Sequence, residues 1–447
     1  MDNAAPLAAL RAFRHGLYSC FTRRADAVFE VVDAILVAEP IPSLPHLSLA
    51  LLHRRGWGSV YASLAEGRLD AERLRAAVAT HPLASGRPIY AVDVSVWPRC
   101  DAEASPERGF YYHPSRHSAG QPIVAGWAYQ WLAQLSFERD SWTAPLDVKR
   151  VHPTENANAV AVEQIKRLVE CLPGGSEPPL FVFDAGYDSA ALTQGLADTA
   201  AAVLVRLRSD RCFYADPTPG VPSRKGGRPR RHGAKFDCTT PGTWPAPTAE
   251  HLVDDAQYGV VRVRAWAGLH PKQQAHPGRG TRKTRPIVRG TVLLVEVGRL
   301  PGRAHKPQVL WLWWAGPGVP DLDVLWRAYV RRFALEHTLR FLKQTLGWTT
   351  PRVRHPEQAD RWTWLILAAY TQLRLARPLV ADRRLPWERP LPPTKLTPAR
   401  VRRTVAAILL ATGTPATAPK PCGRSPGRPK GSCSGRAPRY PALKIAA

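Results

Sequence analysis

Two short apolar runs, each carrying an aspartate, constrain this chain more than any other feature: "IYAVDVSVW" at 89–97 and "LFVFDAGYD" at 180–188. Both are rich in β-branched and aromatic residues and too short to be packed helices, so they read as strands. Period-2 alternation sets Ile89, Ala91, Asp93, Ser95 and Trp97 on one face of the first, and Tyr90, Val92, Val94 and Val96 on the other. A carboxylate embedded there costs free energy unless it is paired or holds a metal. Asp184 closes the second run just before Ala-Gly, and in an open α/β sheet ligands gather at the carboxyl ends of strands. Between the runs, "QPIVAGWAYQWLAQLSF" supplies more strand, giving a meander of about three. The segment "NANAVAVEQIKRLVECL" reads as a helix with Ala159, Val162, Ile165 and Val169 near one face, ended by "GGSEPP".

The flanks differ in pattern. Residues 1–85 read as helices, from "AAPLAALRAFRHGLYSCFTRRADAVFEVVDAILVAE" and "LDAERLRAAVATH". After a short helix at 189–202 and the strand "AAVLVRLR", a Pro, Gly and Arg-rich stretch runs from Asp216 to about Glu250. Strand-like runs resume at "YGVVRVRAWAG", "PIVRGTVLLVEVG" and "PQVLWLWWAG", then helix continues to about 380. A chain of 447 residues exceeds what one hydrophobic core sustains. The expected division is a helical domain at 1–85, a core at 86–205, a β-rich insertion at 206–318, the rest of the core at 319–380, and a basic, Pro-rich tail at 381–447, disordered from about 412.

Charge points to a partner. The net charge is +26 with pI about 10.4, which favours a polyanion, nucleic acid ahead of an anionic membrane surface. Part of this charge is a codon effect, since 50 of the 62 basic residues are Arg. The most apolar helical stretch, "WLILAAYTQLRLARPLV" at 364–380, is broken by Gln372, Arg374 and Arg377, so it does not read as a membrane span. The N-terminus lacks a secretion-signal pattern and the chain is expected in the cytoplasm. Seven cysteines show neither CxxC nor zinc spacing and are expected to be free thiols.

A third acid sits in "YVRRFALEHTLRFLK", residues 329–343. At about 100° per residue, Tyr329, Arg332, Glu336 and Lys343 fall within an arc of roughly 60°, with Val330, Ala334, Leu335, Phe341 and Leu342 opposite. Taken alone, Glu336 reads as a solvated residue paired with Arg332 or Arg340, and Asp184 as turn chemistry. Brought together, Asp93, Asp184 and Glu336 would form an all-oxygen site suited to Mg²⁺ or Mn²⁺. Two such ions serve in-line displacement at a phosphodiester. Asp188 reads as the N-cap of the following helix, and Glu163 and Asp323 as acids without a motif.

The stretch fits YxxRxxxExxxxxxK through Tyr329, Arg332, Glu336 and Lys343, and so resembles the signature of bacterial insertion-sequence transposases of the DDE type. The runs around Asp93, Ser95 and Arg99, and around Asp184, Gly186 and Tyr187, are similar to the same group, and about 150 residues separate Asp184 from Glu336. The resemblance covers roughly 86–375. It implies an α/β, RNase H-like core with a β-rich insertion, two Mg²⁺ or Mn²⁺ ions held by Asp93, Asp184 and Glu336, and Tyr329, Arg332 and Lys343 gripping a phosphate beside the cleaved transposon end. The implied partners are double-stranded DNA, both transposon ends and target, bound by a homodimer.

Further DNA contacts are expected at Arg340 and in "GGRPRR" (226–231) and "SPGRPKG" (425–431), where Arg228 and Arg428 would enter an A·T-rich minor groove; ordinary basic linker is the alternative. Trp326, one turn before Tyr329, could stack on an unpaired base, whereas "WLWW" at 311–314 reads better as a buried strand. The expected function is a DDE transposase. The rivals are a catalytically silent DNA-binding regulator, which a degraded triad would mark, and an RNase H-fold nuclease such as a junction resolvase.

Overall fold

The structure, a computed structural model, describes residues 4–38, 41, 43–83, 88–112, 122–137, 140–172, 177–218, 231–272, 286–300, 308–421, 423, 427, 429–433 and 435–444. In chain order these form α1 (Ala4–Ser19), β1 (Phe21–Arg23), α2 (Ala25–Val37), α3 (Leu44–Leu47), α4 (Trp57–Glu66), β2 (Arg68–Leu69) and α5 (Ala71–Ala79). Then come β3 (Ile89–Pro98), β4 (Gly109–Tyr112), β5 (Ile123–Leu135), β6 (Thr143–Val151), α6 (Ala157–Cys171), β7 (Leu180–Phe183), α7 (Ser189–Gly195) and β8 (Ala202–Leu207). The strands β9 (Cys212–Tyr214), β10 (Lys235–Asp237), β11 (Ala249–Asp255), β12 (Gly259–Pro271), β13 (Gly290–Val297) and β14 (Gln308–Ala315) follow. Four helices complete the chain: α8 (Leu322–Arg331), α9 (Phe333–Gln344), α10 (Pro356–Ala376) and α11 (Pro398–Thr412).

Contacts divide the chain into two compact units, 85–93 with 157–333, and 1–84 with 94–156 and 334–447. In the first, the strand order is β10-β9-β12-β13-β14-β8-β7-β3, with β11 beside β12. Strands β3, β7 and β8 run parallel, in the register Ile89↔Leu180, Val92↔Phe183 and Phe183↔Val205. Their apolar residues are buried on both faces, as a parallel layer covered by helices requires. Beyond β8 the sheet turns antiparallel through β14, β13 and β12, which is the β-rich insertion. Trp311, Trp313 and Trp314 are buried in β14, so "WLWW" is core strand. Helix α6 buries Val160, Ala161, Gln164, Ile165 and Leu168, sharing only Ile165 with the expected face. Successive three-residue steps drift about 60° each from a true helical stripe, which is why that face was misplaced.

The second unit is built round α10. Its apolar residues, with Trp362 and Tyr370 fully buried, pack on α1, α2, α4, α5, α11 and β6. The N-terminal helices thus share a core with the C-terminal ones. Residues 398–412 of the basic tail form α11, because Val401, Val405 and Leu409 make an apolar stripe that is buried, and Leu443 bridges Gly109. Strand β5 pairs with β6 antiparallel. Buried Arg14 bonds Asp33 at 2.7 Å and Gln372 at 2.7 Å, satisfying a charge that could not otherwise be buried. The order β6-β5-β3 here and β3-β7-β8 in the other unit are those of an RNase H-like core, the mixed α/β class expected. Among the described residues, no helix is long and apolar enough to cross a membrane, and the cysteines are free thiols.

Candidate active site

The register of three parallel strands sets the site. Val92 faces Phe183 and Phe183 faces Val205, so the next residues, Asp93, Asp184 and Arg206, stand side by side where the pairing of β3 with β7 stops, Asp93 in mid-strand and Asp184 just past the end of β7, at about 4.8 Å per strand. Asp93 keeps 22% of its side chain exposed and Asp184 40%. Two carboxylates at this spacing repel, and positive charge must offset them.

Arg332 supplies it. Its guanidinium, 2% exposed, donates to Asp93 Oδ2 at 3.3 Å and lies 4.0 Å from Asp184 Oδ1. Arg206 Nη1 lies 3.7 Å from the same Asp184 oxygen. Arg332 also sits over the rings of Tyr329 (5.6 Å) and Phe333 (5.1 Å). Tyr187 is buried beneath, and burial, with Asp93 and Asp184 nearby, pushes its phenol well above the usual range. Burial likewise raises the Tyr329 phenol.

The helix that carries Arg332 is not continuous, contrary to the single stripe expected from spacing. The Arg332 N–H is shared between Ala328 O and Tyr329 O, at 3.1 Å each, so the ladder tightens and α8 ends at Arg331 before α9 begins at Phe333. Tyr329 and Arg332 are buried, whereas Glu336 is exposed in the first turn of α9. Glu336 belongs to the other compact unit. Arg340 is exposed, and Lys343 lies 5.7 Å over the Trp348 ring. Among the described residues no three His, Cys, Asp or Glu side chains are grouped to hold a metal ion. Within their unit, Asp93 and Asp184 form a pair bridged by Arg332.

Other expected contacts resolve differently. Trp326 is 1% exposed and its indole N–H donates to Asp323 at 3.0 Å, so its ring is core and offers no face to a base. Asp323 also pairs with Arg327 at 2.9 Å, and Glu163 pairs with Arg167. Asp188 caps α7, accepting from the Ala190 and Ala191 N–H groups at 2.9 and 3.0 Å. Arg99 is buried over Trp127 and donates to the Val353 carbonyl, a structural role. Arg228 and Arg428 lie outside the described residues. Sequence reasoning missed Arg206; the signal was a lone cation in the apolar run "AVLVRL", which gains meaning only once parallel register sets it beside Asp184.

The residues fit a divalent ion. Asp93 and Asp184 are hard oxygen donors, and Asp184 Oδ1 is buried without a hydrogen bond among the described residues. The Tyr329 hydroxyl, whose neighbours include Arg332, Arg206 and Asp184, is also buried without one of ordinary geometry. Orphaned buried oxygens of this kind are satisfied by an ion or a ligand oxygen.

No curated protein matches the chain. The family model described as DDE superfamily endonuclease matches residues 16–284, more than half of the sequence, including Asp93 and Asp184 but ending before Glu336. With acids side by side on adjacent parallel strands and this match, the chain belongs to the DDE superfamily endonucleases.

Proposed function

We propose that the protein is a transposase: it binds the inverted-repeat ends of its own element, nicks them in a metal-dependent reaction, and joins the freed 3′ hydroxyl to target DNA. The observation that carries this reading is the Asp93–Asp184 pair set side by side by the β3–β7 register. Asp93, Asp184 and Glu336 would hold Mg²⁺ or Mn²⁺, which supplies an activated attacking oxygen and stabilises the leaving oxygen of the phosphodiester. The chain's own residues position the DNA. Arg206, half exposed beside Asp184, would take a phosphate oxygen near the cleaved bond, and Arg332 carries a planar donor fork suited to carboxylate or phosphate. Lys343 adds a point charge further along α9. Two ends must be held together for joining, so a homodimer on DNA is the expected assembly.

The test is a joining assay with Mg²⁺, using DNA that carries the inverted repeats flanking the gene and a plasmid target. Joined products are expected; nicking without joining would support a nuclease of this fold that does not transpose.

A further inference from the structure

We propose that a basic groove beginning at Asp184 carries the phosphodiester backbone of the DNA on one side of the cleaved bond; this rests on the nuclease reading of the acid pair. The groove has a volume of about 790 Å³. Ala185 and Tyr187, one and three residues beyond Asp184, line it together with Arg206, Arg208, Arg211 and Lys272. All four cations are exposed.

Three observations select DNA backbone as the occupant. First, the charge is uncompensated: among the described residues Arg208, Arg211 and Lys272 make no ion pair, whereas Arg167, Arg262 and Lys166 in the same unit each face a carboxylate. Among the described residues that line the groove, Asp188 is the only acid, and it is engaged in capping α7. Phosphates are the counter-ions such a row lacks. Second, Arg206 and Arg208 are two residues apart where β8 ends, a separation of roughly 6–7 Å in extended chain, comparable to that of successive phosphates along a strand. Third, Arg206 touches both features: it lies 3.7 Å from Asp184 and lines the groove, so a phosphate at the acids leads straight to the next cation. The aromatic rings among its described lining residues, Tyr187 and Phe213, are both buried, so the groove reads charge and not base sequence.

The experiment measures binding of the full chain to a 40-bp duplex of arbitrary sequence across a salt series. The triple variant Arg208→Ala/Arg211→Ala/Lys272→Ala is compared with the control triple Arg167→Ala/Arg262→Ala/Lys166→Ala, which removes the same charge from paired positions. The groove variant is expected to flatten the slope of log K against log salt by about 2–3, close to one per lost phosphate contact, while the control leaves it unchanged. An unchanged slope in the groove variant, or an equal fall in the control, overturns the proposal. A photo-crosslinker at Gln194, exposed on the groove wall, gives a second readout that needs no loss of charge: crosslinking to the duplex supports the groove, and its absence in a chain that still binds contradicts it. Nicking of the element's end DNA with Mg²⁺ is followed in parallel. A flattened slope without nicking would sink the nuclease reading and leave the groove standing; nicking with an unaltered slope would do the reverse.

Discussion

Replacing Arg332 by Met removes the cation between two carboxylates while keeping an unbranched apolar stem. Breaking a fully buried ion pair costs about 3–5 kcal/mol. Here Arg332 is buried, but Asp93 is 22% and Asp184 40% exposed, so solvent screens the remaining repulsion, and roughly 2 kcal/mol is the expected loss. For a unit of fewer than 200 residues this corresponds to a fall in Tm of about 4–8 °C, read by near-UV circular dichroism at pH 7. One feature marks the mechanism. Millimolar Mg²⁺ should raise the Tm of the variant more than that of the wild type, because the ion then meets no guanidinium at the same oxygens. A variant as stable as wild type at pH 7, or a deficit that is independent of Mg²⁺, would refute the reasoning.

Three further outcomes are expected. Trp326→Ala should lose about 3–5 kcal/mol of stability from a cavity, whereas Trp326→Phe should bind end DNA as the wild type does in a fluorescence-anisotropy titration; weakened binding by a well-folded Phe variant would restore the stacking role. Arg14→Met strands Asp33 in the helical unit, where Asp33 is 3% exposed, and should destabilise by about 3–5 kcal/mol, seen as an earlier denaturant midpoint for helix loss. The Glu388 carboxyl is held down to about 2 by Arg403 and the Leu385 N–H. Its folded value lies below the unfolded one of about 4.3, so its contribution is present above that value and fades as pH falls through about 2. Glu388→Gln should therefore lower Tm at pH 7 and match wild type near pH 2; a constant gap would contradict this.

The two acids were legible because each interrupts an apolar strand of a kind that parallel sheets bury. Their adjacency was not, because it depends on which strands pair, and Arg206 was invisible for the same reason. The YxxRxxxExxxxxxK spacing puts Arg332 and Glu336 on one helical face but does not show where the helix is interrupted; α8 ends at Arg331 and α9 begins at Phe333, with Tyr329 and Arg332 buried and Glu336 exposed. Trp326 read as a surface ring because period alone cannot tell which side of a helix meets a sheet. The union of α1, α2 and α4 with α10 and α11 rests on contacts between chain ends hundreds of residues apart, which local pattern does not encode.

Under the proposed function, Asp93, Asp184 and Glu336 each serve metal-dependent DNA cleavage. Single-turnover nicking of the element's end DNA with Mg²⁺ is measured for the wild type and for Asp93→Asn, Asp184→Asn and Glu336→Gln, each confirmed to be folded and to bind that DNA. Nicking is expected from the wild type and from none of the three variants. Nicking by Asp184→Asn at the wild-type rate would rule out the acid pair as the cleaving site.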